Sequence, residues 1–567
     1  MKLPLLLGCL CAGLFGLATD TCAQADLPRL DLATLRIPAN WQRAGGVSVS
    51  PDSPALKNRV GSESMLISSG KEPVTLASPV SDFALRFDML MTPGAAVLLQ
   101  LPNGEAIDLT TARDITPLLK SAGLWQSIRL DYRANSGLMG PALERLLVNG
   151  VVVREGYKLT RSASGSGPVQ LMAAAGAVAV RDVGFRALEN RSVASWAGPL
   201  RYNLYGESIE TREELAGKTP VKSDTVSQIS YNVSYGRSGR FALLFEGKLN
   251  VPTAGDYQFD LVMGGVAGLW VDGKPVIPMV YDELGAVKTH LMPLTAGVHN
   301  VEVMYSRSWP RPGLGLFISQ AATRPQALHA AGSLPEFSPP GQVTVQPEAK
   351  STLVRSFIQL PGEKNKRTKA LSVGNANGMH YAIDLSQMAL LMAWKGDFAD
   401  VTQMWYERGE PQLLKPMGTV IMPSPRPAFA LLPNANTAWP DSLTEETLNY
   451  GGLVLAKDGS PTMEYTMGGL TVYERLLPTA NKLDHSFTIT GNPTNAGQAQ
   501  SLYCRLAAGK NIEEVAKGLF AINDRSYYIR VDPKTSLTLR QQGPQQELMM
   551  PVALRNGAAT VQYAIEF

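Results

Sequence analysis

Short runs of alternating apolar and polar residues recur along most of this 567-residue chain. Examples are "FALRFDMLM" (83–91), "SIRLDY" (127–132), "YQFDLVM" (257–263) and "VEVMY" (301–305), with a more continuous apolar run in "LLVNGVVV" (146–153). A period of two turns one face of a strand toward a core and the other toward water. Gly, Asp and Asn residues punctuate the runs as turn formers. Two turns have a definite geometry. Asn149-Gly150 in "VNGV" and Asp272-Gly273 in "VDGK" supply the two φ > 0 residues that a type I′ hairpin needs. Helical periodicity is scarce, the best stretches being 111–121 and 512–519. The pattern predicts an all-β, multidomain chain of β-sandwiches or jelly rolls.

Two stretches break the strand rhythm. Residues 189–197, "ENRSVASWA", separate two strand-rich blocks, and residues 322–350 contain "RPQALHAAGSLPEFSPPGQ", rich in Pro, Ala and Gly. Cutting there gives regions 26–190 and 198–320, a linker at 322–350, and a β-rich C-terminal region 351–567, which fits roughly 150 residues per domain. Ahead of them, residues 1–25 read as a signal peptide. Lys2 provides a basic start, Leu3 to Leu17 carry no charge, and Ala23-Gln24-Ala25 is a small-x-small cleavage site. The apolar run is short for a membrane span, so no transmembrane segment is expected after its removal. "LLGC" at 6–9 loosely resembles a lipobox, which keeps a lipid anchor on Cys9 as the alternative.

Composition narrows the partners. Apolar residues make up 45% and charged residues 18% of the chain, the balance of a folded protein. A net charge of +3 is too small to argue for nucleic acid, and the one basic run, "EKNKRTK" at 363–369, reads as a solvated loop. Three of the four cysteines fall in the signal, leaving Cys504, so no disulfide can form within the mature chain. The five histidines (His290, His299, His329, His380, His485) are scattered without metal-ligand spacing.

"SDFALRFDMLMTPG" (81–94), "LWQSIRLDY" (124–132), "LLVNG" (146–150) and "GPVQLMAAAGAVAVRDVGFRAL" (167–188) occur in an order that resembles the 3-keto-disaccharide hydrolase domain, a concanavalin-like jelly roll. The family's Asn-Ser-Gly is replaced here by Ala95-Ala96-Val97, and the Gln and His of its closing motif by Met172 and Ala174. Apolar side chains cannot exchange protons, so the resemblance implies a scaffold kept without its catalysis. Glu105 and Asp108 are the remaining carboxylate candidates of that loop, and they also read as turn residues.

"GRFALLFEGKLNVPTAGDYQFDLVMGGVAGLWVDGKPVI" (239–277) and "LTAGVHNVEVMYSRSWPRPGLGLFIS" (294–319) resemble a PA14 domain, a β-sandwich of toxins, glycosidases and adhesins. In PA14 lectins an acidic pair binds calcium, which then holds sugar hydroxyls. Gly264-Gly265 stand at that place here, so no cofactor is expected and calcium is left only as an alternative. The resemblance then leaves Trp309, Trp270, Asp272 and Tyr305 as carbohydrate-binding candidates.

In the C-terminal region, "HYAIDLSQMALLMAWKGDFADVTQMWYERG" (380–409) gathers His380, Asp384, Trp394, Asp397, Asp400 and Arg408, a mix found both in sugar sites and in buried ion pairs. With "GGLVLAKDGSPTMEYTMGGLTVYERLLP" (451–478), it is similar to a region accompanying haem and sugar-dehydrogenase modules in large secreted bacterial proteins. The combined reading is an exported, carbohydrate-binding or carbohydrate-processing accessory protein, located in the periplasm, on the cell surface or outside the cell. Its partners would be a glycan or keto-sugar and a sugar-oxidising enzyme or surface complex. The other readings are an active hydrolase or lyase on 3-keto-glycosides, with relocated catalytic groups, and a structural subunit of a cell-surface assembly. N-terminal sequencing of exported protein should return a chain starting at Asp26; a lipid-modified Cys9 there would replace the soluble form with an anchored one.

Overall fold

The computed structural model describes residues 27–567 apart from 60–63, 69, 136–139, 162–165, 238, 308–311, 336–340, 406–411 and 494–499. The signal segment, Trp309 and Arg408 therefore lie outside the described residues.

The protein is all-β, built of antiparallel sheets. In the first region a seven-stranded sheet runs in the order Trp41–Ala44, Met65–Ser68, Val178–Leu188, Asp82–Met91, Trp125–Arg133, Ala142–Val148, Val151–Lys158. A four-stranded sheet, Val74–Val80, Gly167–Ala175, Ala96–Gln100, Ala106–Asp108, accompanies it. Residues such as Phe87, Leu130, Val169 and Leu171 from both sheets close one core. The two hairpins form as their turn residues require: Asn149 and Gly150 have φ of 51° and 84°, Asp272 and Gly273 of 50° and 74°.

In the second region one strand, Gly255–Val271, organises the rest. Its first half pairs with Val287–Leu294 and Gly313–Ser319, its second half with Lys274–Asp282 and Gly297–Arg307. The exchange of partners falls at Gly264-Gly265, with Gly264 the last residue paired to Gly313–Ser319 and Gly265 the first paired to Lys274–Asp282. Gly265 has φ +141°, and a Cβ there would stand 2.6 Å from the Ser306 carbonyl oxygen. A glycine at such a corner lets one strand serve two sets of neighbours.

Three sheets make the C-terminal region. A six-stranded sheet contains Thr352–Ile358, Arg367–Gly374, Met379–Asp384 and Ala389–Asp400, a four-stranded sheet contains Ser501–Gly509 and Gln545–Val552, and an eight-stranded sheet contains Leu470–Pro478, Lys482–Gly491 and Ala558–Glu566. All three contribute to one core, with Tyr381, Cys504 and Phe487 among its members. The helical expectations are corrected here. Residues 111–121 hold only a single 3-10 turn at Thr116–Leu118, and 512–519 belong to the hairpin Ile512–Ala516/Leu519–Ile522, turned at Gly518 with φ +75°. The four-residue α-helix is Thr402–Trp405. No helix among the described residues is long and apolar enough to cross a membrane.

The first and C-terminal regions, separated in sequence by the whole second region and the stretch 322–350, are packed together. Leu124 belongs to the C-terminal core cluster and is fully buried there. Around it the Leu118 carbonyl accepts from the Thr419 hydroxyl, Leu119 from Lys395 Nζ at 2.9 Å, Ala122 from the Tyr528 hydroxyl at 3.3 Å, and Gly123 from Arg525 at 3.3 Å. Arg525 also donates to the Val49 carbonyl at 2.7 Å, and Arg181 pairs with Asp524 at 2.6 Å. The stretch 322–350 is partly packed as well. Arg324 pairs with Asp82 and Glu144 of the first region, and Gln326–Ala327 and Thr344–Val345 join sheets.

Leu124→Ala should lower unfolding stability by about 2–5 kcal/mol, the range for emptying a buried leucine site. Gly123→Ala should also destabilise, since Gly123 has φ +77° and its Cβ would collide with the Tyr528 hydroxyl. Denaturant titration of the whole chain checks both; losses below about 0.5 kcal/mol, typical of exposed sites, would show that this contact does not hold the regions together.

Candidate functional site

Most of the candidates picked out by sequence serve the fold. Glu105 accepts from the Thr160 and Arg161 backbone N–H groups at 2.8 and 3.0 Å, closing one loop over another. Asp108 accepts from Thr110 N, Thr110 Oγ1 and Thr111 N, each at 2.8 Å. Burial works against its charge, but these bonds outweigh it and hold the carboxyl below its ordinary range. The two carboxylates are thus engaged locally and do not form a converging pair. Met172 and Ala174 sit on the half-buried face of their strand, alternating with the buried Leu171 and Ala173.

In the second region Tyr305 is fully buried and its hydroxyl donates to the Gly264 carbonyl at 2.7 Å, so it presents nothing to a ligand. Trp270 is buried among Tyr205, Ile209, Ala242 and Met304, with the Arg212 guanidinium 5.3 Å from the ring centroid; the stacking face expected of it is covered. Asp272 fixes its own turn, accepting from Asn300 N at 2.9 Å and pairing with His299 at 2.7 Å. Desolvation lowers the His299 pKa, yet Asp272 and the Thr295 carbonyl raise it overall. In the C-terminal region His380 is buried against Trp394 and Phe398, accepting from Asn375 N at 3.0 Å and donating to the Gly396 carbonyl at 2.9 Å. Burial depresses its pKa, which favours the neutral ring this bonding needs. Trp394 is fully buried, with its indole N–H on the Phe398 carbonyl at 2.7 Å. Asp400 accepts from Thr402 N at 2.8 Å at the start of the short helix. Asp397 is exposed, its side chain lining a cleft toward the first region.

Asp384 is different, because it lies at the edge of an open groove. One lobe, of about 610 Å³, is walled by the 363–369 run, Asp384, Ser386, Gln387, Ser442 and Glu445. A second lobe, of about 430 Å³, shares Thr368, Lys369, Ser386 and Glu445 with it and adds Arg355, Asn449 and Tyr450. The walls come from four separate chain segments, around residues 355, 363–370, 384–387 and 442–450. Arg367 grips Glu363 through two bonds of 2.8 and 2.6 Å and reaches Asp384 at 3.4 Å. Hydrogen bonding to Glu363 keeps the guanidinium pKa above its usual value. Asp384 also accepts from Ser386 N and Oγ at 2.9 and 2.6 Å. Gln387 locks the opposite wall, donating to the Leu443 carbonyl at 3.1 Å and accepting from Leu443 N at 2.8 Å.

Where the lobes meet, Lys369 and Glu445 form a 3.2 Å bridge between two exposed side chains. Such a pair is worth about 0–1 kcal/mol, so a ligand can part it at little cost. Half-buried Tyr450 offers an aromatic surface; burial raises its pKa against an opposing hydrogen bond from Arg355. The groove therefore combines fixed donors, fixed acceptors and one ring, while Glu363, Asp384 and Glu445 each already hold a cationic partner. That arrangement suits recognition of hydroxyl-rich ligands more than acid–base turnover. The basic run that sequence placed in a solvated loop is one wall of this groove.

Among the described residues, no group of three or more His, Cys, Asp or Glu side chains is placed to hold a metal ion. The backbone explains why carboxylate pairs do not fit at the 264–265 corner: a side chain at 265 meets the Ser306 carbonyl oxygen. Gly265→Asp should cost about 3 kcal/mol from the left-handed backbone and this clash. The melting temperature should fall, and calcium should not restore it; recovery with calcium would show that the corner accepts the acidic ligand.

No protein-family model and no curated protein sequence matches the chain. Among solved structures, it is similar over 22% of its length to a beta-glucosidase from Kluyveromyces marxianus, at 19% identity and a TM-score of 0.19, spanning 16% of that chain. Over 23% of its length it is similar to a PA14 sugar-binding domain from an RTX adhesin, at 16% identity and a TM-score of 0.21, spanning 93% of that domain. Over 25% it is similar to the PA14 domain of the MpAFP antifreeze protein, at 14% identity and a TM-score of 0.21, spanning 91% of that domain.

Proposed function

We propose that this is an exported accessory protein that binds glycan in the two-lobed groove and delivers it to, or holds it beside, a separate sugar-processing enzyme. The observation that carries the reading is the groove itself, in which Arg355, Lys369, Asn449 and Tyr450 converge on one open channel. Hydrogen-bonding side chains around a ring are what a sugar's hydroxyls and apolar face require. The first region acts as a scaffold, because Glu105 and Asp108 are spent on loop closure. The second region contributes no calcium-dependent site, given the corner at Gly265. Export and the enzyme partner follow from the signal-like N-terminus and the sequence resemblances.

A glycan array probed with the whole mature chain tests the reading. Retained glycans should be lost on Tyr450→Ala and weakened several-fold by Lys369→Met, with dissociation constants on the order of 1 mM to 10 μM for so open a site. An array that retains nothing, or retention unchanged by both substitutions, would sink the proposal.

A further inference from the structure

A second recess, of about 550 Å³, lies between the first and C-terminal regions. On the first-region side it is walled by Arg113, Thr116 and the edge strand residues Val151 to Val153; on the other side by Asn377, Lys395 and Asp397. Lys395 stands on the strand Ala389–Asp400 and is 7% exposed. Its ammonium donates to the Leu119 carbonyl and to Asn481 Oδ1, each at 2.9 Å. Both acceptors are neutral oxygens. An ammonium has three N–H donors, so one is left over for the recess.

Buried charges are ordinarily paired, and among the described residues no carboxylate pairs with Lys395: burial pulls its pKa down, to about 8. Two carboxylates also line the recess: Asp114 is held by Arg154 at 2.7 and 3.1 Å, and Asp397 is exposed and makes no ion pair with Lys395. The recess thus has a buried ammonium whose bonded acceptors are both neutral, a second cation at Arg113, an exposed carboxylate at Asp397, and an apolar flank of valines.

We infer that this recess binds a small carboxylate-bearing sugar, a sugar acid of the uronate type, with its carboxylate on the Lys395 ammonium. The anion follows from two cations, Arg113 and the buried ammonium with its two neutral acceptors, set against the exposed Asp397 carboxylate. The sugar portion rests on the glycan reading above, and fits through Thr116 and Asn377 as hydroxyl partners and the valine flank as the surface for the ring's apolar face. The volume lies within the usual range of small-ligand sites, about 300–1,000 Å³. Because the ligand would touch both regions, occupancy would also tighten their union.

Calorimetry of the whole mature chain with sodium glucuronate, glucose and inorganic phosphate, at constant ionic strength, tests this. Glucuronate should bind at least tenfold more tightly than glucose, and more tightly than phosphate. Lys395→Met should reduce glucuronate to the level of glucose while the protein still melts cooperatively, since a buried unpaired charge is being replaced by an apolar side chain of similar length. Arg113→Ala, at an exposed position, should weaken glucuronate several-fold and serves as the second variant if Lys395→Met does not fold. Equal affinity for glucuronate and glucose, preference for phosphate, or glucuronate binding that survives in both variants would overturn the inference. A failure here leaves the groove untouched, because the groove is read by the array and by Tyr450→Ala.

Discussion

Leu124 sits in a core that belongs to residues more than two hundred positions away, and much of the molecule's organisation depends on that placement. Its burial is worth about 2–3 kcal/mol by area. Its larger effect is to commit the surrounding backbone. Once Leu124 is inside, the carbonyls of Leu118, Leu119, Ala122 and Gly123 face the C-terminal sheets and must find donors there, which Thr419, Lys395, Tyr528 and Arg525 supply. The donor side carries strain to meet them. Asn523, Asp524 and Arg525 are three successive non-glycine residues with φ of 50°, 54° and 62°. A left-handed residue costs about 1–2 kcal/mol, so this turn is held by what it grips: Arg525 on Val49 and Gly123, its own carbonyl receiving Trp125 N at 3.2 Å, and Asp524 on Arg181.

The second region follows a different constraint. Its long strand can serve two sets of neighbours because Gly264-Gly265 turns the corner, and the Tyr305 hydroxyl fastens that corner through the Gly264 carbonyl. The Gly264-Gly265 pair, singled out in the sequence by a resemblance, is in the backbone a requirement for glycine at 265. Residues chosen as sugar contacts by resemblance, Tyr305 and Trp270, are part of the packing that keeps this strand in place.

Strands were legible because their signal is local. Alternation marks a half-buried strand, and Asn-Gly and Asp-Gly fix hairpins with two residues. The stretch 512–519 misled because a short amphipathic run separated by Lys517-Gly518 satisfies helical and hairpin patterns alike, and Gly518 with φ +75° decides it. Asp384 was legible as a candidate, but its groove was not. The walls come from Arg355 on its strand and from residues 363–369, 384–387 and 442–450, and only the fold makes them neighbours. Lys395 was invisible for the same reason, since nothing in "AWKGD" reveals that its acceptor is Leu119.

The inter-region recess and the Leu124 contact are consequences of one another. Docking the first region buries Lys395 under the Leu119 carbonyl, and that burial removes the water that would otherwise solvate the ammonium. Gly396 beside it has φ +129°, and a Cβ there would stand 3.0 Å from Leu118, Met417 and Gly418, so the two regions approach as closely as a glycine allows. A lysine at such a junction is a poor stabiliser compared with an apolar residue of the same length, because its desolvation is not repaid by an opposite charge. The donor that the Leu119 carbonyl needs does not require a charge, so the charge of Lys395 is better accounted for by what enters the recess than by its bond across the junction, beside which Leu124, Arg525 and Tyr528 also hold the regions.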